Sequence, residues 1–286
     1  MEDVRPEYLY IVGAGRSGST ILAALLASQP GIRWVGELVH LANWRDPDNL
    51  CSCGEPIANC GYWKSLGMVE TIGAAMANSR AFEGHRQAVS TLLRPTRIPS
   101  SYCADQSAVL VKLASGSKYL LDSSKYVGRA LALAACRSIR ARYIYIVRDP
   151  RGVVQSFTKN VQSRRSTYSA CAYYLIINTL AQIAVRTRLC DRQLTVRYED
   201  LVSDHETEIR RIGRFLQIDV ERGLRDLRDG MGLRADHVAG GNRWVREGAA
   251  GIQPDFEWRQ KMRAINRLVI HVLCFPLQLL NGYRLW

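Results

Sequence analysis

Residues Ile11 to Thr20 read IVGAGRSGST, and three ways of holding a phosphate fit them. Gly13, Gly15 and Gly18 spell G-x-G-x-x-G, the dinucleotide fingerprint, while Gly13 to Thr20 spells most of the P-loop, G-x-x-x-x-G-K-[ST]. Ser19 stands at the P-loop lysine position, and Arg16 lies inside the loop. Upstream, YLYIVG (Tyr8 to Gly13) has the apolar run of a buried strand. Downstream, STILAALLAS (Ser19 to Ser28) has helical spacing. A glycine loop between strand and helix turns backbone N–H groups toward an anion at the helix N-terminus.

Strand and helix signals alternate along the rest of the chain. IRWVGEL reads as a short second strand ending near Glu37, and two helices fill Lys64 to Leu93. KYLLDSSK (Lys118 to Lys125) is a strand with a polar exit, followed by the helix YVGRALALAACR. RYIYIVR (Arg142 to Arg148) is the clearest strand. DPRGVVQSF then opens a helix with Asp149 as N-cap and Pro150 at its first position. A long apolar helix covers about Tyr168 to Leu189, RQLTVRY is a further strand and HETEIRRIGRFLQI a further helix. The alternation predicts an α/β fold: a P-loop-like three-layer α/β/α sandwich around a central parallel sheet. No repeat or clean linker divides residues 1–286, so one domain is expected. Within it, 43–97 reads as an acceptor-side insertion, 229–256 as a Gly-rich late loop and 259–286 as a C-terminal helix kinked at Pro276.

The net charge is +13, and the excess is local: Arg137, Arg140, Arg142, Arg148, Arg151, Lys159, Arg164 and Arg165 face only Asp149. Such a field draws polyanions, although a solvated basic surface produces the same pattern. The start MEDVRPEYLY does not read as a signal peptide, and no run approaches the roughly 20 apolar residues that span a bilayer. LVIHVLCFPLQLL (Leu268 to Leu280) fits a packed helix, with a peripheral membrane contact as the alternative. Eight scattered cysteines suit reduced thiols and a cytoplasmic protein better than a disulfide framework.

The loop's ligand follows from its residues. A dinucleotide site wants an acidic residue about 20 positions on, and Glu37 lies there, but nothing later calls for a nicotinamide or flavin. A triphosphate wants the missing lysine and a Mg²⁺ ligand. A phosphate whose bridging oxygen is about to leave is better served: amides from Gly15 to Thr20, the Arg16 cation, and the hydroxyls of Ser17, Ser19 and Thr20 surround it.

That loop resembles the 5′-phosphosulfate loop of sulfotransferases that use 3′-phosphoadenosine 5′-phosphosulfate (PAPS), especially the carbohydrate and tyrosylprotein branches. IVRDPRGVVQSF is similar to the family's 3′-phosphate motif, with Arg148 at the strand end and Ser156 eight residues on. Asp149 and Ser156 are seven apart, nearly two turns, so Arg148 and Ser156 can converge on one anion. LLDSSK resembles the strand-end segment that carries a lysine or serine near the active site, with Lys125 as the lysine here. VRYEDLV resembles the segment whose tyrosine, here Tyr198, lines the adenine pocket. GNRWVREG resembles the late loop that closes on the 3′-phosphate through Arg246 and Gly248, with Glu247 departing from the usual basic residue. CSCGEPIANCGYW has a cysteine pattern found in bacterial members. The resemblance implies sulfuryl transfer from PAPS to an acceptor hydroxyl of a carbohydrate, lipid or small metabolite, with adenosine 3′,5′-bisphosphate released, no metal required and no nucleic-acid partner.

The Gly36-Glu37 pair matches the branches in which a glutamate acts as base; a solvated strand-end glutamate is the plain alternative, and His40 is the rival base. Glu37, Arg16 and Lys125 are thus the expected catalytic residues. Cys51, Cys53 and Cys60 form C-x-C-x6-C. Three thiols could hold zinc with His40 or another donor. The spacing lacks the usual C-x2-C pair, so a stiff thiol loop or one disulfide is the expectation. His237 could touch acceptor or cofactor, or serve structurally. Trp34, Trp63 and Trp258 read as core or loop anchors.

Overall fold

The computed structural model describes residues 6–67, 69–159, 164–231, 233, 235–240 and 252–283. Five strands, β1 Glu7–Gly13, β2 Ile32–Trp34, β3 Tyr119–Lys125, β4 Ala141–Val147 and β5 Gln193–Arg197, form one sheet in the order β2-β3-β1-β4-β5, every pair parallel. Parallel neighbours need crossovers, and the helices that supply them cover both faces. The strands sort their side chains with period two. Tyr8, Tyr10, Val12, Tyr143, Tyr145 and Val147 enter one core, while Leu9, Ile11, Ile144 and Ile146 enter the other.

The first core is covered by α3 Val69–Glu83, α4 His85–Leu93, α5 Ser100–Ala114, α6 Val127–Ala135 and α8 Thr167–Thr187; α1 Ser19–Ala27, α10 His205–Leu216 and α11 Glu221–Arg228 cover the second. The short helices α2 Gly61–Ser65, α7 Pro150–Thr158 and α9 Tyr198–Ser203 lie at the connections. The C-terminal helix Ala264–Leu280 packs on α7 and α8 and continues through Pro276. It buries Ile270, Cys274 and Leu277 and exposes Ile265, Leu268, Val272 and Leu273.

Four details differ from the sequence reading. β2 stops at Trp34: Gly36 takes φ +86° and bridges Ala239, while its carbonyl still accepts from the Ser123 N–H of β3 at 2.9 Å. The helix α5 was not foreseen; its buried stripe includes the polar Gln106, which breaks the apolar period. Cys103 of α5 is disulfide-bonded to Cys136 at the end of α6, so the expectation of thiols throughout is corrected for this pair, which the packing brings together across 33 residues. Finally, α8 has the length and hydropathy to cross a bilayer, but half of its apolar stretch is buried against the rest of the protein, as in a core helix.

Candidate active site

The glycine loop leaves β1 at Gly13, where a Cβ would stand 2.4 Å from the Ile146 carbonyl oxygen, so the chain passes flat over β4. Gly18 caps α1 at φ +89°, and a Cβ there would lie 2.3 Å from the Tyr198 ring. Between them Arg16 adopts φ +68°, a conformation that costs a non-glycine residue energy and is held only where its surroundings demand it. Ser17 is fully buried and its hydroxyl has no hydrogen-bond partner among the described residues. The first-turn amides of α1 have no acceptor within the helix. One expected donor is otherwise engaged: the Gly15 N–H donates to the Tyr173 hydroxyl at 3.0 Å.

The second motif meets this loop. Arg148, at the exit of β4 and 5% exposed, donates from Nη1 to the Arg16 carbonyl at 3.2 Å and from Nη2 to the Asp255 carbonyl at 2.6 Å. Its guanidinium lies over the Tyr198 ring, 4.3 Å from the centroid. Gly152 lets it cross the first turn of α7, since a Cβ there would stand 2.8 Å from Arg148 Nε. Asp149 caps α7 as expected, accepting from the Arg151 N–H at 2.8 Å. Ser156 lies within α7, half-buried and two turns from that cap. The Asp255 carboxylate sits 3.2 Å from both Arg148 and Lys159, and its N–H donates to the Tyr198 hydroxyl at 2.9 Å. Burial opposes charge on Asp255, but Arg148 and then Lys159 outweigh it and hold the carboxyl below its ordinary value. The cationic pocket of the second motif therefore already encloses an anion.

Glu37 and Lys125 complete the cluster. β3 loses its register against β1 near its end, and Lys125 is held at φ +72°. Lys125 Nζ reaches Glu37 Oε1 at 2.5 Å, and His40 Nε2 lies 3.4 Å from Glu37 Oε2. Burial raises the Glu37 carboxyl, yet the Lys125 charge, followed by His40, brings it down to about 2. Burial draws Arg16 down and the Glu37 charge opposes it, which puts the carboxylate in electrostatic reach of the loop. Glu37 is thus fully ionised near neutral pH, and its basicity is suppressed while Lys125 stays on it.

Sequence reasoning missed what fixes these groups. Asp122 Oδ1 accepts from the N–H of Leu38 at 3.3 Å and of Ser124 at 2.9 Å, tying the end of β3 to the residue after Glu37. Its other oxygen is 2.7 Å from Arg129 Nε, and Arg129 also pairs with Glu83; all three side chains are buried. Tyr102 and Gln106 close this network by hydrogen bonds to Glu83 and Arg129. Tyr173 and Asp255 were also missed, since an aromatic in a long helix and an acid in a Gly-rich stretch carry no local signal. His85 stacks near Tyr126, ring centroids 4.9 Å apart, and burial lowers its pKa to about 4, so it is neutral at pH 7. The His85 ring also meets Tyr173 edge to face, ring centroids 6.4 Å apart.

The other expectations sort cleanly. Ser17, Ser19 and Thr20 lie together at the start of α1, and Tyr198 packs on Gly18. His40 touches Glu37 but is half exposed. His237 is stacked on Tyr62 beside the thiols of Cys51 and Cys60. Trp34, Trp63 and Trp258 are buried. Arg246, Glu247 and Gly248 fall outside the described residues.

No curated protein sequence matches the chain. The fold is similar to that of the sulfotransferase domain from the Synechococcus PCC 7002 olefin synthase, with a TM-score of 0.60 and 24% identity over 97% of this chain and 96% of that one. It is also similar to the sulfotransferase domain from the curacin biosynthetic pathway (TM-score 0.58, 17% identity, 98% of both chains). Sulfotransferase STF9 from Mycobacterium avium shares the fold at a TM-score of 0.51 and 12% identity over 98% of this chain and 78% of that one. A family model described as "Sulfotransferase family" matches residues 7–222. With the glycine loop, the Arg148 motif and the Glu37–Lys125 pair all inside that span, the chain belongs to the sulfotransferase family.

Proposed function

We propose that this sulfotransferase takes its sulfuryl group from PAPS and places it on an acceptor hydroxyl of a carbohydrate, lipid or small metabolite. The observation that carries the reading is the joining of two anion sites: Arg148, from one phosphate motif, hydrogen-bonds the backbone of Arg16 in the other. The buried hydroxyl of Ser17, which has no hydrogen-bond partner among the described residues, and the first-turn amides of α1, which have no acceptor within the helix, fit a phosphate at the loop. Arg148, Ser156 and Lys159 fit a second phosphate about Asp255, whose carboxylate marks where that anion would rest. Tyr198 packs on Gly18 and under the Arg148 guanidinium, so its buried ring joins the two anion sites beside the place proposed for the adenine.

The donor supplies a sulfuryl group on a phosphate leaving group. Glu37 accepts the proton of the acceptor hydroxyl as its oxygen bonds to sulfur. Arg16, Lys125 and the loop amides receive the charge that collects on the departing phosphate oxygen. Lys125 serves both ends: on Glu37 it keeps the carboxylate a weak base, and transfer of its ammonium to the leaving oxygen releases that basicity. Positioning the acceptor in line with the leaving oxygen supplies much of the rate, as in phosphoryl transfer.

Calorimetry with the two nucleotides tests the donor. Arg148→Ala should weaken adenosine 3′,5′-bisphosphate by about 2–4 kcal/mol, ~30- to 1000-fold. Adenosine 5′-phosphosulfate, which has no 3′-phosphate, should change far less. Equal loss for both ligands would remove Arg148 from the 3′-phosphate.

A further inference from the structure

Beside the site, and unused by the mechanism above, four soft donors converge. We propose that Cys51, Cys53, Cys60 and His237 form a closed tetrahedral site for one zinc ion, which fastens the segment around Ala239 to the strand end that carries Glu37. All four ligand atoms lie within 4.8 Å of one another. Cys60 Sγ is 3.6 Å from Cys51 Sγ and 3.6 Å from Cys53 Sγ; His237 Nδ1 is 3.3 Å from Cys60 Sγ and 3.8 Å from Cys51 Sγ. Zinc–sulfur bonds of ~2.3 Å and zinc–nitrogen bonds of ~2.0 Å at tetrahedral angles give edges of about 3.8 Å between sulfurs and about 3.5 Å between sulfur and nitrogen. The four separations above, 3.3–3.8 Å, match those edges. A single disulfide would consume two thiols and leave the third facing an imidazole with nothing to bind.

The frame is built for ligands. Cys51 N–H donates to the Glu55 carbonyl at 2.8 Å and Gly54 N–H to the Cys51 carbonyl at 3.0 Å, with Gly54 at φ +91°, so Cys51 and Cys53 project from one tight turn. Cys60 returns to them through its N–H to Pro56 at 2.9 Å. His237, from 177 residues further on, is held at φ +52° with its ring stacked on Tyr62. Ser52, between the first two cysteines, accepts from the Val238 N–H and donates to the Ala235 carbonyl. Three thiols and one imidazole suit zinc and not a hard oxygen-seeking cation. Binding would release the thiol protons to solvent and leave His237 neutral, and four protein ligands leave no open position, so the ion is structural. Its mechanical target is plain: Ala239 bridges Gly36 and Cys51, and the Glu37 N–H donates to the Ala239 carbonyl at 2.9 Å.

The test uses the full chain purified without chelator. Elemental analysis should find about one zinc per chain. Cobalt exchanged into the protein should give tetrahedral visible bands with thiolate charge transfer. Cys53→Ser, at the exposed ligand, should remove about a third of that charge transfer, one of three thiolates, and speed zinc loss to a chelator. His237→Ala should keep the charge transfer and alter the visible bands. Zinc-free folded wild-type protein from zinc-supplied cells would overturn the proposal, as would a disulfide among the three cysteines by mass spectrometry. So would stoichiometric zinc whose cobalt spectrum neither substitution alters, because the ion would then lie elsewhere.

Discussion

Two regions of this molecule bring charged and polar groups together by opposite means. The glycine loop and α1 use consecutive residues: Gly13 to Thr20 carry the amides, the cation and the hydroxyls, and β1 and α1 hold them in place. The Glu37 region uses four distant pieces: residues 35–40, the 51–60 thiol turn, the end of β3 and the 235–240 segment. A contiguous site is specified by backbone conformation, so glycines and a helix start suffice. A convergent site must be tied together by long-range contacts, here the Ala239 bridge and the buried network of Asp122, Arg129 and Glu83. Substitutions in the loop should therefore act on donor affinity, and those in the convergent region on chemistry and stability.

The largest effect expected is on turnover. Glu37→Gln keeps the shape and removes the base, and should slow the reaction about 10²–10⁴-fold. Calorimetry should show adenosine 3′,5′-bisphosphate binding unchanged. A variant that loses donor binding instead would make Glu37 a ribose ligand and erase the contrast between the regions; a fast Glu37→Gln with a dead His40→Ala would move the base to His40.

Next comes stability. Arg129→Met leaves Asp122 and Glu83 buried without their cation, which should cost about 3–5 kcal/mol in urea denaturation. Weakened donor binding at temperatures where the variant is folded would mean that the network reaches the loop as well. Gly18→Ala acts in the other region. It forces a Cβ into the left-handed conformation and toward the Tyr198 ring, and should cost about 1–3 kcal/mol, felt chiefly as weaker nucleotide binding. Full affinity in this variant would detach Tyr198 from the donor pocket.

The smallest effect is in pH. The Glu37 pKa is lowered from 4.5 to about 2 in the folded protein, so its pairing stabilises the fold above pH 4.5 and that contribution disappears as pH falls toward 2. The stability difference between the native chain and Lys125→Ala should be constant near neutrality and shrink across that window. In the pH–rate profile the same substitution should move the acid limb upward, because the largest influence lowering the carboxyl is gone. An unmoved limb would assign it to another group.

Much of this protein is local and was legible. The apolar runs from Tyr8 to Val12 and Tyr143 to Val147, Asp149-Pro150 at a helix start, and glycine spacing after a strand each encode structure within a few residues, because backbone torsions are set by near neighbours. They sufficed for the parallel sheet and for naming a loop and an arginine, Arg148, that meet in the fold. What only the tertiary structure decided depends on parts of the chain that meet after folding. Asp122 looked like a polar strand exit and is buried on Arg129. Asp255 gave no signal and lies between Arg148 and Lys159. His40 was considered as a partner for the three thiols, whereas His237 reaches them and His40 turns to Glu37. Separations of 88 residues between Glu37 and Lys125, and of 177 between Cys60 and His237, leave no periodic trace, since the β2–β3 pairing brings the first pair together and the bridges at Ala239 the second.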